Sequence, residues 1–240
     1  MIEPGSLLRS LTERTTARNF QSRVIHEIGA GVVSGRFPVG TALPNDAALM
    51  DEFGVSRTVL REALKSLEAK GLVEARPKVG TKVAHKSRWN LYDAQVLAWH
   101  LTAPPDRDFL QGLGEVRRSL EPLGAAHAAA KRTSDQVRLM RYWIQQMEMS
   151  LDQPSVFCLA DFELHRIIGE TSRNPFIRGL HGVIELSHAF AYLKAVNQPE
   201  EGDLLPFFHL HRGLVNAIEG GGEAEARMAM LQVIDMEQVI

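Results

Sequence analysis

Asp161 and His165, in the run DFELH, stand four residues apart, so they lie one turn apart on one face of any helix that holds them. Their neighbours Phe162, Leu164 and Ile168 are apolar, which marks a helix with a substantial buried surface. A carboxylate and an imidazole buried in an apolar bundle need a partner, because an uncompensated buried charge is very costly. A metal ion is one such partner. Oxygen and nitrogen donors at i and i+4, joined by histidines of a later helix, are how bundles assemble metal centres. His209 and His211 are the candidates from a later segment. A simple Asp161–His165 salt bridge is the plainer alternative. A third reading is a metal-dependent hydrolase acting on a small acid or lactone and using Asp161, His165 and His211; it has no obvious general base on the same face, and the sequence leaves Glu163 and Glu170 open for that role.

A second constellation lies far upstream and has a different chemistry. Ser56, Arg57, Thr58 and Arg61 fall in the run SRTVLR. Arginine makes a bidentate contact to guanine O6 and N7 or a charged contact to phosphate. Serine and threonine hydroxyls donate to phosphate, aided by the positive end of a helix. Lys78 and Lys82 follow, with Gly80 between them.

The elements that must carry these residues can be read from periodicity. Val24, Ile28 and Val32 recur every four residues, with Ile25 beside them and Gly35 just past the end, which predicts a helix. RFPVGTALP cannot be regular helix. Asn45 can cap a second helix with Leu49, Met50 and Phe53 on its buried side, and Gly54 breaks it. Ser56 can cap a third, with Val59, Leu60, Ala63, Leu64 and Leu67 as its apolar positions and Gly71 as its end. LVEARPKVGTKV then reads as two short strands around a turn, marked by Leu72, Val73, Val79 and Val83. Helix, helix, tight turn at Gly54-Val55, helix and ribbon make a winged helix-turn-helix. The third helix is its reading helix, with the first-turn residues facing a major groove. A winged helix used only for protein contacts is the alternative.

From Trp89 onward strand signals are few. Six periodic segments, beginning near Leu110, Ser134, Ser155, Pro175, Pro206 and Glu223, are separated by breaks at 104–105, 153–154, 174–175 and 220–222. Short connections between such helices predict an antiparallel all-α bundle. The fold class is therefore mainly α: an N-terminal winged helix-turn-helix over 18–86, a linker over 87–104 and an all-α domain over 105–240.

Composition sets the outer limits. With 240 residues, 45% hydrophobic and 23% charged, the chain is neither disordered nor fibrous. A single cysteine, Cys158, excludes an internal disulfide framework and fits a reducing compartment. No apolar run approaches the roughly 18 residues of a spanning helix, and the opening MIEPGSLLRS lacks a signal pattern. A soluble cytoplasmic protein with no membrane partner is expected. The net charge of −2 is uneven: residues 1–86 hold 13 basic and 9 acidic residues, the remainder 14 and 20. A basic head on an acidic body is the asymmetry of a protein with one nucleic-acid-binding part.

Residues 40–83 resemble the DNA-binding domain of the GntR family of bacterial transcription regulators. The resemblance rests on Gly40, Leu43, Pro44, Phe53, Gly54, Val55, Ser56, Arg57, Arg61, Ala63, Leu64, Leu67, Gly71, Leu72, Gly80 and Val83. Asp46 stands where the family usually has Glu, and Ala47 where some members place a DNA-contacting arginine. By resemblance, Arg57, Thr58 and Arg61 carry most of the DNA contact and the wing reaches the minor groove or backbone.

The rest is similar to the FadR-type branch, whose ligand domain is an all-α bundle. Its E-x-R-x3-E pattern is matched in part by Glu115, Arg117 and Glu121, its D-x3-H by Asp161 and His165, its Asn-Pro loop by Asn174 and Pro175, and its later histidine by His211. The branch's fourth metal ligand is a histidine about 22 residues on; Val233 stands there, and no histidine follows His211. The resemblance thus implies one divalent transition ion of zinc or nickel type on three protein ligands, Asp161, His165 and His211, completed by water or effector. A metal-free centre in which these residues bind the effector directly is the alternative. Arg117 is the candidate for an effector carboxylate, unless it is spent on Glu121. The run from Arg88 through Trp89, Asn90, Asp93, Val96 and Leu97 to Trp99 is similar to regulators of sugar-acid catabolism, galactonate repressors in particular. The expected whole is a homodimeric regulator, a repressor in the favoured sense, bound to double-stranded operator DNA, controlled by a small carboxylic or sugar acid, and not an enzyme.

Overall fold

The computed structural model describes residues 20–102, 106–197 and 203–237. Two compact units divide at Pro105–Asp106. The break expected at the paired prolines 104–105 lies outside the described residues.

The first unit opens with helix α1, Phe20–Val33, whose Val24, Ile28 and Val32 are all buried. Asn45 caps α2, Asp46–Phe53, by accepting from the Ala48 amide at 2.9 Å. Gly54 ends α2 in the left-handed region at φ 63°, where a side chain would be strained. Two residues later Ser56 caps α3, Arg57–Ala69, which buries Leu60, Ala63 and Leu67 and turns its polar residues outward. Strands β1, Val73–Arg76, and β2, Gly80–Val83, pair antiparallel with Val73 opposite Val83 and Glu74 opposite Lys82. Pro77 and Lys78 (φ 63°) form the corner, closed by Val79 N donating to Arg76 O at 3.1 Å, as a type II turn requires. Val79, expected among the apolar strand positions, sits instead in this turn and is 60% exposed.

The segment expected to be a linker folds onto this head. A short 3-10 turn over Lys86–Arg88 leads to α4, Ala94–Trp99, capped by Asp93. Trp89, Val96 and Trp99 join Val24, Ile28, Leu60 and Leu67 in one core. The cause is burial of two indoles. Trp99 packs where Gly29 has no side chain (a Cβ there would come within 2.4 Å of the ring) and donates from Nε1 to His26 at 3.1 Å. Trp89 donates to the Ala84 carbonyl at 3.1 Å, and Lys70 pairs with Asp93 at 2.6 Å.

The second unit is helical throughout its described residues: α5, Arg107–Lys131; α6, Ser134–Met149; α7, Pro154–Thr171; α8, Pro175–Arg178; α9, His181–Asn197; α10, Leu205–Gly220; and α11, Glu223–Glu237. Helix α5 lies along α11 and α7, and α9 packs on α7. Ala125 and Ala129, Met140 and Ile144, Leu164 and Ile168, Leu214 and Ile218, and Met230 and Val233 meet in the core. Each fully buried aliphatic side chain contributes about 1.5–3 kcal/mol relative to exposure. The stretch after Pro175, one periodic segment in the sequence, divides into α8 and α9 at Gly179-Leu180, where glycine weakens the helix.

Candidate functional site

On the head, the first turn of α3 is a charged surface over an apolar underside. Ser56, Arg57, Thr58 and Arg61 are all exposed. Ser56 Oγ accepts from the Val59 amide at 3.4 Å, which leaves its own O–H to donate outward. Other arginines of the head are engaged: Arg23 with the Phe53 carbonyl, Arg36 with Glu52 at 2.7 Å, and Arg76 and Arg88 with Glu74 at 2.8 and 2.6 Å. Arg57 and Arg61 have no such partner among the described residues. Lys78 and Gly80 stand exposed at the wing, whereas Lys82 is half-buried opposite Glu74. Hydrogen bonding from Arg76, helped by the charges of Arg76, Arg88 and Lys82, holds the Glu74 carboxyl below its ordinary range against the opposing effect of desolvation. Ala47 is exposed and brings no charge to α2.

The bundle brings a second set together from four helices. Arg117 and Glu121 lie one turn apart on α5, Asp161 and His165 one turn apart on α7, His211 on α10 and Glu237 on the last turn of α11. Arg117 Nε donates to Glu121 Oε1 at 2.5 Å; Nη1 donates to Glu237 Oε2 at 2.6 Å and to Ser187 Oγ at 2.9 Å. The other Glu121 oxygen accepts from His165 Nδ1. Asp161 Oδ1 stands 2.9 Å from His211 Nε2 and 3.4 Å from His165 Nε2, and Glu237 Oε1 stands 3.8 Å from each of these nitrogens. All four donor atoms lie within 4.8 Å of one another, a group that could hold a metal ion.

The orientation of these groups fits a cation. Asp161 Oδ1, His165 Nε2, His211 Nε2 and Glu237 Oε1 are buried and have no well-aligned hydrogen bond, even though Asp161 Oδ1 and His211 Nε2 stand 2.9 Å apart. His211 Nδ1 donates to the Phe207 carbonyl at 2.7 Å, which fixes the tautomer and leaves the Nε2 lone pair to coordinate once the ring is neutral. His165 is fixed likewise by Glu121. Two ligands about 2.1 Å from a tetrahedral ion stand about 3.4 Å apart; four of the six separations, at 2.9–3.8 Å, bracket that value, and all lie within 4.8 Å. Charge fits as well. Glu121, Asp161 and Glu237 face one guanidinium, Arg117, leaving two negative charges, the amount a divalent ion neutralises.

Protonation carries the same demand. Burial works against the Asp161 carboxylate, but His211 and His188 hold it well below its usual range. Burial opposes the charged His211 ring too, and the Asp161 carboxylate outweighs it, pushing the ring up to about 9. Glu121, buried beside Arg117 and His165, is held at about 2 despite desolvation. Arg117 is raised in spite of its burial by Glu121 and Glu237. Cys158 is no ready nucleophile: burial, then Asp161 and Glu237, push its thiol up to about 12.

Two members of this centre escaped the sequence reading. Glu237 lies one turn beyond Val233, so it occupies the same helix face; Val233, the position where a histidine was looked for, is fully buried in the apolar core. His188 on α9 reaches Asp161 Oδ2 at 3.4 Å, with Nδ1 donating to the Ile184 carbonyl at 2.9 Å. Burial disfavours its charged form, but Asp161 raises it. Its setting in ELSHAFAY, among mostly apolar residues, carries no local signal of a site. His209 is exposed beside Arg212 and stays outside the centre. Glu163 and Glu170, the bases required by the hydrolase reading, are engaged by Arg166 at 2.8 and 2.6 Å.

Comparison with known proteins agrees with both halves. Residues 20–83 match "Bacterial regulatory proteins, gntR family", and residues 113–236, just over half of the chain, match the FCD domain. The galactonate operon transcriptional repressor of Escherichia coli (strain K12) is 29% identical over 216 residues, covering 90% of this chain and 94% of that one. The HTH-type transcriptional repressor NanR of Salmonella newport (strain SL254) is 30% identical over 185 residues, covering 74% and 68%. Among solved structures, Lar, described as controlling expression of the Listeria monocytogenes agr system, shares the fold at 17% identity, with a TM-score of 0.63 over 94% of this chain and 97% of that one. These relatives are regulators, not enzymes, and the hydrolase reading has no support among them. The chain belongs to the gntR family of bacterial regulatory proteins and is a DNA-binding transcription regulator with an FCD domain behind its winged head.

Proposed function

We propose that the protein is a cytoplasmic, homodimeric repressor whose grip on operator DNA is released by a small sugar acid of the aldonate class. One winged head offers few base contacts, whereas two related by a dyad read a near-palindromic operator. In this reading Arg57, Thr58 and Arg61 address the major groove, Ser56 a phosphate, and Lys78, Gly80 and Lys82 the adjoining backbone or minor groove. Asp161, His165 and His211 hold one divalent ion of zinc or nickel type, for which imidazole nitrogens and a carboxylate are suited. When bound, that ion supplies a Lewis-acidic point for a carboxylate or hydroxyl oxygen of the effector.

The observation that carries the effector reading is Arg117. Its guanidinium is buried, yet Nη2 has no hydrogen-bond partner, while Nη1 holds Glu237, whose other oxygen belongs to the unpartnered donor group. A buried cation with a spare donor is a receiver for an anion. The aldonate choice is supported by the 29% identity to a galactonate operon repressor across most of both chains. By linkage, an effector that weakens operator binding is itself bound more weakly by the operator complex, to the same factor.

The test selects duplexes from a randomised pool, then titrates the best one with aldonates. Recovery of a near-palindrome with half-sites about one helical turn apart, and its release by galactonate or gluconate, is the expected result. A site without dyad symmetry would refute the dimeric reading, and no release by any aldonate would refute the effector class. Elemental analysis of purified protein decides the metal separately.

A further inference from the structure

We infer that Glu237 is a resident carboxylate in the seat of the effector's own carboxylate, so that the acid enters by exchange with it and frees the last turn of α11. The inference rests on the reading of the bundle as the receiver of a small acid.

Glu237 makes the contacts that such an acid would seek. Its Oε2 accepts from Arg117 Nη1 at 2.6 Å, and its Oε1, unpartnered, faces His165 Nε2 and His211 Nε2 at 3.8 Å each. A single carboxylate therefore spans the guanidinium and the donor cluster. It fills this place imperfectly. Arg117 Nε is taken by Glu121, while Nη2 is buried and unpartnered, so Glu237 uses only one prong of the outer fork. With Glu237 withdrawn, Nη1 and Nη2 present two parallel N–H groups, the arrangement that holds a free carboxylate in bidentate fashion.

Exchange preserves the charge. Adding a monoanion to a centre whose own residues already carry two negative charges in excess adds to a buried excess, which is costly. Swapping one carboxylate for another does not. The mechanics also favour Glu237 as the group that leaves. Its side chain is 17% exposed, against 0% for His165, 1% for His211 and 10% for Asp161. Val233 and Ile234, one turn earlier, are buried in the core, so the movement is confined to the terminal turn.

Glu237→Ala vacates the seat, and acetate, the end group of the lost side chain, is the probe. In the full-length protein at matched ionic strength, acetate relative to chloride should raise the melting temperature of the bundle of Glu237→Ala saturably and leave the wild type unmoved. Calorimetry should find galactonate or gluconate bound at least about tenfold more tightly by Glu237→Ala, because the competing occupant is gone. Glu237→Gln, which keeps the shape and loses the charge, should gain in the same direction and serves if the alanine variant does not fold. No acetate effect on a folded Glu237→Ala, or aldonate affinity equal to or weaker than wild type in the folded variants, overturns the inference. Acetate rescue without aldonate binding to any form would uphold it and overturn only the choice of effector class. Metal content of the same samples tests the ion independently.

Discussion

The head and the bundle use charge in opposite ways. In the head, the buried groups are apolar, and Arg57 and Arg61 on the reading helix stand in water without a carboxylate partner among the described residues. In the bundle, a guanidinium, three carboxylates and three imidazoles lie at or near full burial and touch one another. The difference follows from the ligands. A DNA duplex brings its own charge to the surface and needs exposed cations that exchange with counterions. A small acid must be recognised where water is excluded, and there each charge needs a fixed partner. Binding by the head should therefore be governed by salt, and binding by the bundle by pH and metal.

The largest effect should come from breaking the buried set. Arg117→Ala leaves Glu121 and Glu237 facing each other without their cation, and loss of one partner of a buried pair costs about 3–5 kcal/mol. Two-step unfolding is expected, with the bundle transition lowered and the head transition in place. Calorimetric scans would show it. A single transition shifted as a whole would mean that the two units do not unfold independently. In the head the same loss requires an apolar cut, such as Trp99→Ala, at about 3–5 kcal/mol.

Next comes pH, measured on metal-free protein. His211 is raised from 6.5 to about 9, so its contribution is fully present below 6.5 and is lost as pH rises through 9. At about 1.4 kcal/mol per unit this is on the order of 3 kcal/mol. Glu121 is lowered from 4.5 to about 2, so its contribution is present above 4.5 and fades as pH falls toward 2. The head's His100, lowered chiefly by burial, loses stability only as pH falls and gives no alkaline loss. Melting temperatures between pH 6 and 10 in chelator should therefore decline for the bundle alone, and a divalent ion should abolish the decline by taking the proton's place. A bundle as indifferent to alkali as the head would contradict this account of the centre.

What could be read in advance follows the same division. Positions such as Val24, Leu49, Leu60 and Leu67 repeat at helical spacing, and Gly54, Ser56 and Asn45 are local stop and cap signals, so the head was legible. The fold of 87–102 onto that head was not, because it depends on Gly29 and Trp99 meeting across 70 residues of chain. In the bundle, Asp161 with His165 is a local pair and stood out. Glu237 and His188 did not, since each gains its meaning from a partner on another helix: Arg117 and Asp161 respectively. Arg117 itself was legible in kind but not in engagement. Its tie to Glu121 could be read as i to i+4, while the tie to Glu237 crosses 120 residues.

Smaller effects belong to the exposed face. Arg57→Ala should cost about 1–3 kcal/mol of discrimination between operator and mismatched duplex if the guanidinium reads a guanine. Stability should change by no more than about 0.5 kcal/mol, because nothing buried is lost. Anisotropy titrations on matched and mismatched duplexes separate the two quantities. Equal losses on both duplexes would reassign Arg57 to a phosphate.

The smallest effect, and the finest test of the contrast, is Lys78→Gly. Lys78 holds φ 63° at the wing corner, a region that costs a side chain roughly 1 kcal/mol. Glycine relieves that cost and gives up part of the gain to a freer unfolded chain, so the head should be stabilised by less than about 1 kcal/mol. At the same time one exposed cation is lost. If the lysine meets a phosphate, the slope of log affinity against log salt should fall by about one. A residue that strains the fold slightly while serving the ligand is expected on an exposed binding face. Lower stability with an unchanged salt slope would show that Lys78 supports the wing and plays no part in holding DNA.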